Sequence, residues 1–205
     1  MPVFSYLTIQ APAQGIYKEK GSKFLSFAYP VKTEEDIKEK LLALRKEYFD
    51  ARHHCYAWIL GPEKKLFRAS DDGEPNHSAG DPILGQIRSK NLTDVLIVVV
   101  RYFGGVKLGV GRLVTAYKTA AEDAIASAII IENQVTVQLN IQYSYEATPD
   151  VMRLVKEFDL TIMNQEYNNE CLLSFTINLS NKEPFLDKVK LMRAMGTNVQ
   201  VLTID

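Results

Sequence analysis

The sequence has little cysteine, no long apolar run and almost no net charge. Two cysteines, Cys55 and Cys171, are too few for a disulfide scaffold or a four-thiolate zinc site. The longest apolar runs are Val95–Val100 and Ala124–Ile131, the second broken by Ser127. Both fall well short of the roughly 18 residues that span a bilayer. The opening Met-Pro-Val-Phe-Ser-Tyr lacks the basic and then apolar regions of a signal peptide. With 24 basic and 25 acidic side chains the formal charge is −1. That balance excludes a basic nucleic-acid coat protein and an acidic disordered tail. What is left is a soluble protein of a reducing compartment, with no membrane partner and the cytoplasm as the expected location. Its 205 residues suffice for one or two domains with a real core.

Glycine and charge are unevenly placed. Gly196 is the only glycine after Gly111. Residues 1–132 carry a net +2 and residues 133–205 a net −3. Both observations set a boundary near Glu132–Asn133, giving domains over 1–132 and 133–205. In the second, Val135, Val137, Leu139 and Ile141 alternate with polar residues, as on a half-buried strand. Thr148-Pro149 reads as an N-cap and first helical residue. Thr161–Asn168 and Cys171–Leu179 read as two strands, Phe185 to Met192 as a second helix, and Val199–Ile204 as a last strand. The order βαββαβ is that of a ferredoxin-like fold. In the first, strands are expected at Ser26–Val31, Cys55–Leu60, Leu66–Ser70 and Val95–Phe103. Helices are expected after Thr33, over Asp81–Lys90 with Asp81 as cap, and over Leu113–Ile131. The fold class is therefore α+β.

Chemistry concentrates in three segments. The first runs from Arg101 to Arg112, between a buried strand and a long helix. Gly104, Gly105 and Gly109 let backbone N–H groups approach a ligand, and the following helix adds a partial positive end. No acid occurs from Val95 to Ala121, while Arg101, Lys107, Arg112 and Lys118 are basic. The segment fits neither a Walker A loop nor a dinucleotide fingerprint, because Val110-Gly111 replaces Lys-Ser and Val114 replaces the third glycine. It reads either as a general anion site or as a tight strand-to-helix turn with solvated bases.

The second segment holds Asp71, Asp72, Gly73, Glu74 and, farther on, Asp81. Its carboxylates suit a hard cation or acid–base work, or equally a loop built on Asx turns and a helix cap. It has no EF-hand spacing. The third segment is Arg52-His53-His54-Cys55. Neighbouring strand residues face opposite ways, so His53 and His54 do not share a metal, and Cys55 lies with His53 rather than His54. Lys18, Lys20 and Lys23 flank Gly21-Ser22 and are candidates to join a basic surface. No nucleophile, base and orienting group stand together, so no catalytic residue, metal ligand or cofactor is expected, and binding ranks above catalysis.

Five motifs occur in a fixed order: Lys20-Gly21-Ser22-Lys23-Phe24, Ala51 to Ala57, Asp71-Asp72-Gly73-Glu74-Pro75, Ala79-Gly80-x-Pro82-Ile83-Leu84, and Arg101 to Gly109. Together they resemble the bacterial YigZ and eukaryotic IMPACT family. The motif-bearing match covers about residues 15–130. One departure is Asn76-His77-Ser78, where that family suggests smaller residues such as Gly-Thr. The resemblance implies a first domain like ribosomal protein S5 domain 2 and a ferredoxin-like second domain. That pair resembles the last two domains of the translocating elongation factor. It also implies translation regulation, as in the eukaryotic relatives, and it marks His54 and the Asp71–Glu74 loop as motif residues.

The expectation is thus a non-enzymatic translation regulator that binds RNA or a ribosome-associated protein. Arg101, Lys107 and Arg112 would contact phosphate, and Tyr102 or Phe103 would stack on a base. A metal-assisted hydrolase using the Asp-Asp-Gly-Glu loop, with His54 or His77 as base, is one alternative. A protein–protein adaptor is another. The sequence does not determine the oligomeric state; a monomer is favoured.

Overall fold

The computed structural model describes residues 2–202. The chain is mixed α and β and divides into two compact units. One holds Ser5–Asn133, and the other runs from Gln134 onward and takes in Phe4.

The first unit is built on β1 (Ser5–Ile9), β2 (Ala13–Glu19), β3 (Ser22–Pro30), α1 (Glu34–Glu47), β4 (His53–Leu60), β5 (Leu66–Ser70), α2 (Gly80–Ser89), β6 (Val95–Tyr102), α3 (Val110–Ala126) and β7 (Ile130–Gln134). Five strands form an antiparallel sheet in the order β2-β3-β6-β4-β5, and β1 pairs with β7. The apolar run Val95–Val100 occupies the centre because both sheet faces are covered. Val95, Ile97 and Val99 pack under α2 and α3, while Leu96, Val98 and Val100 pack under α1. Ala116, Ala120, Ala121 and Ala124 give α3 a small-residue face. Gly15 completes that close approach, since a Cβ there would lie 2.5 Å from the Ala124 backbone nitrogen.

The second unit contains β8 (Thr136–Tyr143), α4 (Thr148–Glu157), β9 (Thr161–Tyr167), β10 (Cys171–Asn178), α5 (Lys182–Ala194) and β11 (Val199–Leu202). Its antiparallel sheet has the order β11-β8-β10-β9. Leu139, Ile141, Leu173, Phe175 and Ile177 alternate inward and meet Val151, Leu154, Phe185 and Val189 of the two helices.

Several local expectations need correction. β1, β2 and β7 are strands that the hydrophobic pattern does not announce. The helix expected over Leu113–Ile131 begins at Val110 and stops at Ala126, and Ile130 already belongs to a strand. Thr148 does not cap α4; it lies inside the helix, and its hydroxyl donates to the Tyr145 carbonyl. Asp81 lies inside α2 and is bonded to the His77 ring. Thr33 does cap α1, in a reciprocal pair with Asp36.

Candidate functional site

The acidic loop and the glycine loop meet at one end of the five-stranded sheet. Arg101, the last inward residue of β6 on the α3 face, is only 7% exposed. Its Nη1 donates to Glu74 Oε1 at 2.5 Å. The same oxygen accepts from the Tyr117 hydroxyl of α3 at 2.8 Å. The Cys55 thiol of β4 donates to the Tyr117 hydroxyl at 3.3 Å and lies 2.9 Å from the Asp71 carbonyl. The Arg101 guanidinium lies over the rings of Phe24 and Phe103. Thus a buried ion pair ties the acidic loop to β6 and α3. A single unpaired charge at that depth would be very costly.

The other carboxylates are also committed. Asp71 accepts from the backbone N–H groups of His77, Ala79 and Gly80 at 2.8, 3.0 and 2.8 Å. It therefore caps α2 from outside the helix. Burial opposes its ionisation, but those three donors hold its pKa below the ordinary carboxylate value. Asp72 accepts from the His54 N–H at 2.6 Å and from Arg45 at 2.7 Å. Gly73 has φ 86° and passes the His53 ring, which bonds the Asp72 carbonyl. Among the described residues no three His, Cys, Asp or Glu side chains converge to hold a metal ion. His77 has φ 64°, a conformation that favours glycine, at the departure from the family motif.

Nor does the chain of polar groups form a nucleophile and base. Burial is the main reason that the Cys55 thiol and the Tyr117 hydroxyl are both pushed far up, so both stay protonated. His54 pairs with Val100 and so points to the opposite, α1 face of the sheet, as the period of two requires. It is 3% exposed, and neither ring nitrogen has a partner among the described residues. Burial lowers its pKa, and the Arg45 charge adds to the effect.

The glycine-loop residues separate into different roles. Tyr102 follows the alternation onto the α1 face, where its hydroxyl donates to Asp50 at 2.7 Å. That bond pushes its pKa up to about 12. Gly104 is a packing residue: a Cβ there would sit 1.9 Å from the Gly21 carbonyl carbon, and its N–H donates to the Ser22 hydroxyl. Gly105 and Gly109 have φ 85° and 80° and face open space. Gly109 is the N-cap of α3 and supplies no side-chain cap. Lys107 and Arg112 are exposed.

The close approach of Gly104 to Gly21 brings a third segment to the site. Lys18, Lys20 and Lys23 lie in the β2–β3 hairpin beside the glycine loop, and Lys23 is level with Tyr102 in the sheet. All three are exposed. Among the described residues none of Lys18, Lys20, Lys23, Lys107 and Arg112 forms an ion pair. No described helix is long and apolar enough to cross a membrane.

Comparison with known proteins matches these elements to one family. The family model described as the Impact N-terminal domain covers residues 20–125, which include all five ordered motifs. The Escherichia coli K12 protein called IMPACT family member YigZ is 30% identical over 203 residues, covering 98% of each chain. A Thermus thermophilus IMPACT family member is 47% identical over 107 residues, covering 52% of this chain and 56% of its own. A crystal structure of a hypothetical protein superposes with a TM-score of 0.76 at 30% identity, covering 100% of this chain and 99% of the other. On this combined match the chain belongs to the IMPACT family.

Proposed function

We propose that the protein is a non-enzymatic regulator of translation that holds an RNA backbone against the basic end of its first unit. The observation that carries this reading is that the Gly21–Gly104 contact joins two basic segments, the hairpin with Lys18, Lys20 and Lys23 and the glycine loop with Lys107 and Arg112, all five exposed and without ion pairs among the described residues. Glu19 is the one acid in the hairpin turn, and the glycine loop has none. A patch of this kind attracts phosphates despite a whole-chain charge of −1. Phe103, 54% exposed, takes the base-stacking role. Tyr102 does not act as a base contact, because Asp50 occupies its hydroxyl, and Arg101, buried beside Glu74, takes no part in this exposed rim.

The fold reading agrees with a place among translation proteins. The second unit, with order βαββαβ and strand order β11-β8-β10-β9, reads as ferredoxin-like, and the first unit reads as similar to ribosomal protein S5 domain 2. The hydrolase alternative is disfavoured, since Asp71 and Asp72 bond backbone and Glu74 neutralises Arg101.

The test is binding to a mixed RNA and ribosome preparation across a salt series. Affinity falls steeply with salt in the wild type. Lys107→Ala/Arg112→Ala and Lys20→Ala/Lys23→Ala each weaken binding and flatten the salt slope, while stability changes by less than about 0.5 kcal/mol. Binding that ignores salt and survives both variants would instead identify a protein adaptor.

A further inference from the structure

The face of the glycine loop toward the acidic loop borders a cleft of about 350 Å³. We propose that it binds a phosphomonoester carried on a flat base, that is, one nucleoside monophosphate unit.

Four observations build the site. α3 is 17 residues long and opens at Gly109 with no side-chain cap and no acid in its first turn. Its first N–H groups and its positive end are therefore left for an anion. α1 and α2 differ: Thr33 with Asp36 caps one, and Asp71 caps the other. Second, Arg101 lines the cleft while 93% buried by side-chain area, and its Nε has no partner among the described residues. A buried guanidinium with an unused donor calls for a further acceptor. Third, Lys107 stands on the same lining and is exposed. Fourth, Phe103 presents a ring at the mouth, and Leu108 and Leu113 make the floor apolar. Glu74 is the one acid in the lining, and Arg101 and Tyr117 both bond its Oε1. The anionic group thus meets helix N–H donors, Arg101 and Lys107, while the base lies against Phe103.

The larger groove at the other end of the unit, beside Lys32 and Gly61, offers no such set, because the helix that borders it is already capped. The cleft is also separable from the RNA-binding rim. It shares Lys107 and Phe103 with it, and Lys20 and Lys23 take no part.

The experiment titrates the full chain with adenosine monophosphate, adenosine and inorganic phosphate, by calorimetry and amide chemical shifts. The monophosphate binds at least about tenfold tighter than either fragment, since it uses both halves of the cleft. Val110, 54% exposed at the first helical position, is the residue to vary. Val110→Asp sets a fixed negative charge beside the anion and weakens the monophosphate by about tenfold or more. It leaves the melting temperature unchanged or raised, because an acid suits a helix N-terminus. Val110→Asn, of the same shape without the charge, stays within about threefold of wild type. Equal binding of adenosine and its monophosphate, or full affinity in folded Val110→Asp, would overturn the proposal. Competition by a 5′-phosphorylated oligonucleotide but not its 5′-hydroxyl form would assign the group to an RNA end. No competition by either assigns it to a free nucleotide. Lys20→Ala/Lys23→Ala loses RNA and keeps the monophosphate, so the two readings fail separately.

Discussion

The two units solve the problem of burial in opposite ways. All ten buried polar or charged residues of the described chain, from Thr8 to Arg101, belong to the first unit. Among its described residues the second unit buries no charged side chain, and it closes on Phe175, Phe185, Leu173 and Val151. Backbone strain divides similarly. Among the described non-glycine residues, Lys20, Lys64, Asp72, His77, Asn91 and Asp94 adopt positive φ in the first unit, against Asp159 in the second. Each such residue costs of order 1–2 kcal/mol, less for Asn and Asp. Of these strained and buried polar residues, Lys20, Asp72, His77, Glu74 and Arg101 belong to the candidate site, while Asp94, Lys64 and Asn91 belong to turns at the other end of the sheet.

That contrast is open to attack by substitution. Glu74→Ala has the largest expected effect, about 3–5 kcal/mol, because it strands the Arg101 charge. Phe175→Ala matches it, at about 3–5 kcal/mol, but through a cavity. Denaturant midpoints give both losses, and amide exchange assigns each to its own unit. A near-neutral Glu74→Ala would remove the distinction between the units. Gly104→Ala follows, at about 1–3 kcal/mol, since the new methyl meets the Gly21 backbone. Asp71→Ala costs about 1–2 kcal/mol as the loss of a helix cap, read from thermal melts. Because the folded pKa of Asp71 is depressed, its contribution is present at neutral pH. It is lost as pH falls below about 4, where the unfolded chain takes up the proton first. The smallest effect concerns His54. Its folded pKa is also depressed, so stability declines as pH falls below about 6.5. His54→Leu flattens the stability curve between pH 5 and 6.5, and an unchanged slope would locate that dependence elsewhere.

Much of the fold was legible and rather less of the site. The alternation in β8 and the helical spacing before Phe158 are local signals, and local signals place the second unit's elements in order. β7 was hidden because Ile129–Ile131 continues the apolar character of α3, and a short apolar run suits either state. β2 was hidden by Gly15 and its polar neighbours, which the sequence shows without the helix that Gly15 admits. At the site, the period of two already separated His54 from Cys55, and it would equally have separated Tyr102 from Arg101. The pairing of Arg101 with Glu74, 27 residues away, has no local trace. Tyr117 was concealed most fully: at a helical core spacing it reads as packing, and only the tertiary fold turns its hydroxyl toward a carboxylate.

The pairing of β1 with β7 bears on how the first unit assembles. Ser5 and Glu132, joined side chain to side chain, are 127 residues apart, so their contact closes nearly the whole unit into one loop. Loop-closure entropy disfavours such a contact until the intervening chain is compact. The β2–β3 hairpin, whose strands adjoin in sequence, is free to form early, whereas the β1–β7 pairing forms late. In a chain still emerging from the ribosome, β1 can meet Leu92 and Thr93 as β6 follows, but its pairing with β7 waits until synthesis has passed Glu132.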